Sequence, residues 1–150
     1  MPINLDEALK ILEKHGIRIT IQRRLILEAL LDIKKEFCSV NELAEKIRSK
    51  YPHIAISSIY KNLELFAQIG IIGCICIPDL DKIYYDTQGV AKAYFICRKC
   101  ENIFRMVDVD VKYNEKEHKI EKFYLNFVGV CKECLKGEKQ NEKCKSERNL

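Results

Sequence analysis

No apolar run in the 150-residue chain is long enough to cross a membrane, and Met1 to Lys10 lacks the basic-then-apolar order of an export signal. A cytoplasmic protein with no membrane partner is the expectation. Histidine is scarce, three in all, which leaves little for a conventional imidazole-rich metal site. No glycine loop has the spacing that cradles phosphates, and no acid–base pair or nucleophile constellation stands out, so an enzyme is not expected. A strong excess of one charge is lacking too. The 26 basic and 22 acidic side chains leave +4, which permits a polyanionic partner without arguing for one.

What is present is a hydrophobic fraction of 47%, enough for a core, and eight cysteines. In a chain without an export signal these cysteines point to metal or redox roles rather than a disulfide scaffold. The first half reads as helices. Asn4 with Glu7 and Ser39 with Glu42 are capping-box starts, Thr20 is an N-cap, Gly16 is a C-terminal stop, and Tyr51-Pro52 ends the third helix. A fourth helix is predicted over Ile56 to Gln68. Two apolar runs, Ile71–Ile77 and Lys82–Tyr85, flank the turn residues Pro78-Asp79-Leu80-Asp81 and read as a β-hairpin. Helices followed by a hairpin are the parts of a winged helix-turn-helix, with 50–55 as the link before its recognition helix.

The fold expected is α+β: a winged helix-turn-helix domain over 1–85, a polar hinge over 86–93, a small α/β domain over 94–135 and a disordered tail over 136–150. Strands are predicted at Tyr94–Cys97 and Ile103–Val107, with another from Phe123 into the second cysteine pair; 108–120 is charged and weakly helical. Cys97-x-x-Cys100 and Cys131-x-x-Cys134 are two knuckles whose four thiolates complete a tetrahedral, closed site. One structural Zn²⁺ per chain is the expectation, stapling a domain too small to rest on its core alone. A disulfide or reactive dithiol is the competing reading of either pair.

Four stretches then resemble the ferric uptake regulator family in that family's order, over about Leu5 to Leu135. Gly16-Ile17-Arg18-Ile19-Thr20-Ile21-Gln22-Arg23 is similar to its G-L-R-x-T-x-Q-R opening. Ile56-Ser57-Ser58-Ile59-Tyr60-Lys61-Asn62-Leu63 is similar to its recognition helix, and both cysteine knuckles match. The resemblance implies a homodimeric repressor on AT-rich, roughly palindromic double-stranded DNA, with a divalent metal between its domains as the signal. Carried over by position, Arg18 reaches the minor groove and Tyr60 lies against a thymine methyl, with packing as its competing role. Lys61 stands where the family has arginine and contacts phosphate as a point charge, and Ser57 and Ser58 donate to phosphates.

The regulatory ligands depart from the family. Ala91, Lys92 and Tyr94 stand where its histidine segment belongs, Arg105 replaces an acidic residue, and Phe123 and Asn126 replace a histidine and an acid. Phe37 or Cys38 aligns with another histidine, and Asp86 alone is kept. These changes put the second, regulatory divalent metal in doubt and point to DNA binding that is metal-independent or answers another signal. Three alternatives stay open: a sensory site relocated to His118, Asp86 and a cysteine; a zinc-stapled protein–protein module; and a thiol-disulfide oxidoreductase. Cys38, Cys74 and Cys76 read as small buried hydrophobes, with oxidant sensing as the alternative. Cys144 falls in the tail.

Overall fold

The computed structural model describes residues 3–77 and 81–138. Its first three helices start where a side chain can satisfy free first-turn amides. α1 (Leu5–Lys14) opens at Asn4, which accepts from the Glu7 amide while the Glu7 carboxylate accepts from the Asn4 amide. α2 (Ile21–Leu31) and α3 (Val40–Lys50) open on the side-chain oxygens of Thr20 and Ser39. Gly16 after α1 and Gly70 after α4 (Ile56–Gln68) take φ of +69° and +83°, a conformation that costs little only for glycine. Ala8, Leu12, Leu27, Leu30, Leu43, Ile47, Ile59, Leu63 and Phe66 recur at helical spacing, and all are fully buried in one core.

A sheet in the order β1-β3-β2 joins this core. β2 (Gly73–Ile77) and β3 (Lys82–Asp86) are the expected antiparallel hairpin, with Gly73 opposite Asp86 and Ile77 opposite Lys82. Its turn at 78–80 lies outside the described residues. The third strand, β1 (Phe37–Ser39), has no sequence signal. Three residues are too few to show alternation, and pairing with Tyr84 to Asp86 creates the strand.

Cys38, Tyr85 and Cys74 form one row across this sheet. The expectation of three buried cysteines holds for Cys38 alone. Cys74 is half-buried and Cys76 exposed, because the shared face of β2 runs from the core margin out to solvent.

Burial, then the neighbouring Cys74 and Glu64, pushes the Tyr85 phenol up to about 12. An acid whose folded pKa is raised stabilises nothing by its charge. Below the unfolded value of about 10 it leaves stability unchanged, and as pH climbs towards 12 the unfolded chain ionises first and stability falls. The loss reaches about 2–3 kcal/mol by pH 12. Urea titrations at pH 8 and pH 11 should show that Tyr85→Phe loses less stability over this interval than wild type. Equal losses would refute the assignment.

The chain divides into two compact units after Val90, inside the 86–93 segment. Before that point Thr87 is fixed by its amide donating to the Glu36 carbonyl at 2.8 Å and its hydroxyl donating to the Lys35 carbonyl at 2.8 Å. The second unit is a sheet in the order β5-β4-β6. β4 (Ala93–Cys97) pairs antiparallel with β5 (Ile103–Met106) and parallel with β6 (Asn126–Gly129). The last strand is regular only from Asn126, not from Phe123, and the charged stretch from 108 carries no helix. Residues 132–138 are helical, so the helix overruns the expected start of the tail at 136; the remainder of the tail, Cys144 included, lies outside the described residues. Among the described residues no helix is long and apolar enough to cross a membrane.

Candidate metal centre and nucleic-acid interface

Parallel pairing of β4 with β6 puts the ends of both strands side by side, with Cys97 opposite Gly129. Both cysteine knuckles therefore leave the sheet at the same end. The first folds back on itself through the Glu101 amide, which donates to the Cys97 carbonyl at 2.8 Å, and Glu101 takes the left-handed φ of +59°. The Arg98 amide crosses to the Gly129 carbonyl at 2.8 Å and locks one knuckle to the other strand.

The four sulfurs of Cys97, Cys100, Cys131 and Cys134 lie within 4.8 Å of one another. Cys97 to Cys134 and Cys100 to Cys131 both span 3.8 Å. A tetrahedron with zinc–thiolate bonds of about 2.3 Å has edges of about 3.8 Å. The donor set and its geometry thus fit zinc in a closed, structural site. Among the described residues no other group of three or more His, Cys, Asp or Glu side chains brings its ligand atoms together.

Amides of Cys100 and Cys131 point at the Cys97 sulfur, the latter at 3.3 Å, and bring its thiol down to about 6. Cys134 moves the other way. A proton shared with Cys131, burial and the adjacent sulfurs push it up to about 12. Four sulfurs this close cannot all ionise alone, and a divalent cation at their centre removes that penalty.

The residues singled out for nucleic acid fall on α4 and the loop before α2. Arg18 is exposed in that loop; Ser57 and Lys61 are exposed on α4, while Ser58 and Tyr60 are half-buried. Ser57, Lys61 and Glu64 recur at i, i+4 and i+7 along one exposed stripe, with Tyr60 at its edge. The Tyr60 ring meets the core margin and its hydroxyl donates to Asn41 Oδ1 of α3 at 3.0 Å. Ala55 at the N-cap of α4 gives the first-turn amides no side-chain acceptor. Glu64 escapes sequence reading because nothing local separates it from a solvated helix face.

Two further residues escape it. Arg23 Nε donates to Asn62 Oδ1 at 2.9 Å, and Arg23 Nη1 donates to the Arg18 carbonyl. Asn62 Nδ2 in turn donates to the Ser58 carbonyl at 2.8 Å. The available signal is a polar residue on the apolar face of α4, between Ile59 and Phe66, where it is 8% exposed.

Three of the positions expected to depart from the family's regulatory ligands form one row across the second sheet, with Arg105 and Asn126 on either side of Tyr94. Tyr94 is buried, and its hydroxyl oxygen accepts from the Ala91 amide at 3.0 Å. Phe123 is exposed outside β6, and Lys92 is exposed. Asp86 is buried at the end of β3 and accepts from the Gln88 amide at 3.0 Å. His118 Nδ1 lies 3.1 Å from the Glu115 carboxylate within the charged stretch.

Residues 14–127 match the ferric uptake regulator family. The peroxide-responsive repressor PerR of Staphylococcus epidermidis is 29% identical over 136 residues, covering 87% of this chain and 89% of that protein. The ferric uptake regulation protein of Staphylococcus aureus is 27% identical over 136 residues, covering 88% and 98%. Among solved structures, the Pseudomonas aeruginosa ferric uptake regulator with manganese superposes with a TM-score of 0.63 at 14% identity, over 83% of this chain and 98% of that one. A zinc uptake regulator complexed with zinc and DNA gives 0.54 at 18% identity, over 89% and 94%. These likenesses show a common α+β fold, and the family match covers most of the sequence. The chain is a member of the ferric uptake regulator family.

Proposed function

We propose that this chain is a homodimeric, sequence-specific DNA-binding repressor that keeps one structural zinc per protomer and has lost the family's metal-sensing ligands. The family comprises DNA-binding transcriptional regulators, not enzymes. The observation that carries the finer reading is the row Arg105, Tyr94 and Asn126. A sensory cation needs lone pairs from imidazoles and carboxylates. This row offers a guanidinium with none, a carboxamide, and a buried phenol whose oxygen already accepts from Ala91.

On DNA, Arg18 enters the negative potential of a narrow AT-rich minor groove, and the Tyr60 ring meets a thymine methyl in the major groove. Lys61, Ser57, Ser58 and the uncapped start of α4 take phosphates. A two-fold dimer implies a palindromic operator. The second unit offers a second copy an open, mainly apolar groove of about 390 Å³ lined by Phe95, Phe104, Met106 and Val130, with Cys131, Lys132 and Glu133 completing its wall.

The test is affinity for an AT-rich palindromic duplex library, using protein that carries only its tightly bound zinc. It is repeated with iron(II), manganese(II) and zinc(II) at fixed salt, because phosphate contacts make affinity salt-dependent. The expected result is tight, sequence-selective binding that added metal changes by less than about threefold. Binding that appears only with metal would mean a rebuilt sensory site.

A further inference from the structure

Asn62 is out of place on its helix. It sits on the face of α4 that carries Ile59, Leu63 and Phe66, where an apolar side chain would bury more favourably. Both polar atoms of its carboxamide are hydrogen-bonded there: Oδ1 accepts from Arg23 and Nδ2 donates to the carbonyl of Ser58 in its own helix. The second bond fixes the carboxamide, and the first turns it into an acceptor for one arm of the Arg23 guanidinium. Another arm of the same planar group donates to the Arg18 backbone carbonyl. One rigid fork thus joins the loop that carries Arg18 to the helix that carries Ser57, Tyr60 and Lys61.

We infer that Arg23, seated on Asn62, is a positioning residue that sets where Arg18 enters the minor groove relative to α4 in the major groove. The inference rests on the DNA-binding reading above and adds to it the element that sets the spacing between the two contacts. The geometry needs arginine. Lysine keeps the charge, but its single ammonium lacks the planar fork that serves both acceptors at fixed separation. Without the clamp the Arg18 loop has more conformations to lose on binding, so the cost falls on the minor-groove contact. The major-groove contact survives, because α4 is held by its own buried face.

The experiment is a double-mutant cycle on the full-length, zinc-loaded chain with Arg18→Ala, Arg23→Lys and both together. The probe is an AT-rich duplex enriched from a random library by the wild-type protein. Arg23→Lys is expected to weaken binding about tenfold with an unchanged thermal midpoint, and to relax base preference only at the minor-groove positions. In the Arg18→Ala background the same change should cost less than about twofold.

A wild-type-like Arg23→Lys would make Arg23 a plain phosphate contact and overturn the inference. Additive losses would overturn it too, since Arg23 would then act apart from Arg18. Asn62→Leu guards against a folding artefact: it should weaken operator binding while holding the thermal midpoint, and a lowered midpoint with unchanged affinity would make the pair structural only. If the wild-type chain enriches no duplex, the DNA-binding reading falls and takes the clamp with it. Enrichment with additive mutants sinks the clamp alone.

Discussion

Cys131→Ser protein is expected to purify without zinc and with its second unit unfolded, while the helical core of the first unit stays intact. β6 has four residues, and its Phe127 and Val128 are 39% and 48% exposed, so little apolar burial ties this strand to β4. Among the described residues of this unit the buried groups are few: Ala93, Tyr94, Ile96, Cys97 and Cys131. Structural zinc contributes an apparent ~10–16 kcal/mol to folding of small domains, comparable to or above the ~5–15 kcal/mol net stability of a whole domain.

Serine cannot replace the thiolate, and without the metal only backbone bonds such as that from the residue 131 amide to the Cys97 sulfur still join the two knuckles. Hydrogen exchange should therefore find the amides of β4 and β6 unprotected, with α1 to α4 still protected and near-full loss of bound zinc. Cys38→Ser, altered at a buried thiol of the first unit, should keep its zinc. A Cys131→Ser chain with one zinc per protomer and a protected β6 would show that the four sulfurs are not the staple.

The helices and their ends were legible because their causes are local. Asn4 with Glu7, Thr20, Ser39 and Gly16 each act within a few residues, and the α4 boundaries follow from the apolar repeat Ile59, Leu63, Phe66. The hairpin was legible from its turn chemistry. β1 was not, since only its partner β3 makes it a strand.

The metal centre was legible as a donor set from its spacing. Its assembly was not, because parallel pairing of β4 with β6 joins segments about thirty residues apart, and no local pattern announces it. The same limit hid the clamp. Arg23 stood in the family motif and Asn62 on the recognition helix, but only the tertiary fold brings guanidinium and carboxamide to 2.9 Å. Exposure of Cys76 was misread for a different reason: alternation fixes which face a residue is on, not where along the strand that face leaves the core.

Tyr60→Ala should weaken operator binding on the order of 10²–10³-fold. A base contact in the major groove taken at about 1.5–2 kcal/mol, made twice by a two-fold dimer, gives about 3–4 kcal/mol, which converts to that range. The side chain also touches the core margin and binds Asn41, so loss of the ring has a structural cost to separate from the DNA contact. Tyr60→Phe separates them. It keeps the ring for both the core and the proposed thymine-methyl contact and gives up only the Asn41 bond, so its binding should stay within a few-fold of wild type.

Salt dependence separates them again. An aromatic contact to a base displaces no counterion, so Tyr60→Ala should lower affinity at every salt concentration without changing the slope. Lys61→Ala should instead flatten the slope by about one per protomer. Tyr60→Ala binding at wild-type strength would remove α4 from the major groove. If Tyr60→Phe is lost as completely as Tyr60→Ala, the hydroxyl and its bond to α3 set the orientation of the helix, and the ring is not what the DNA reads.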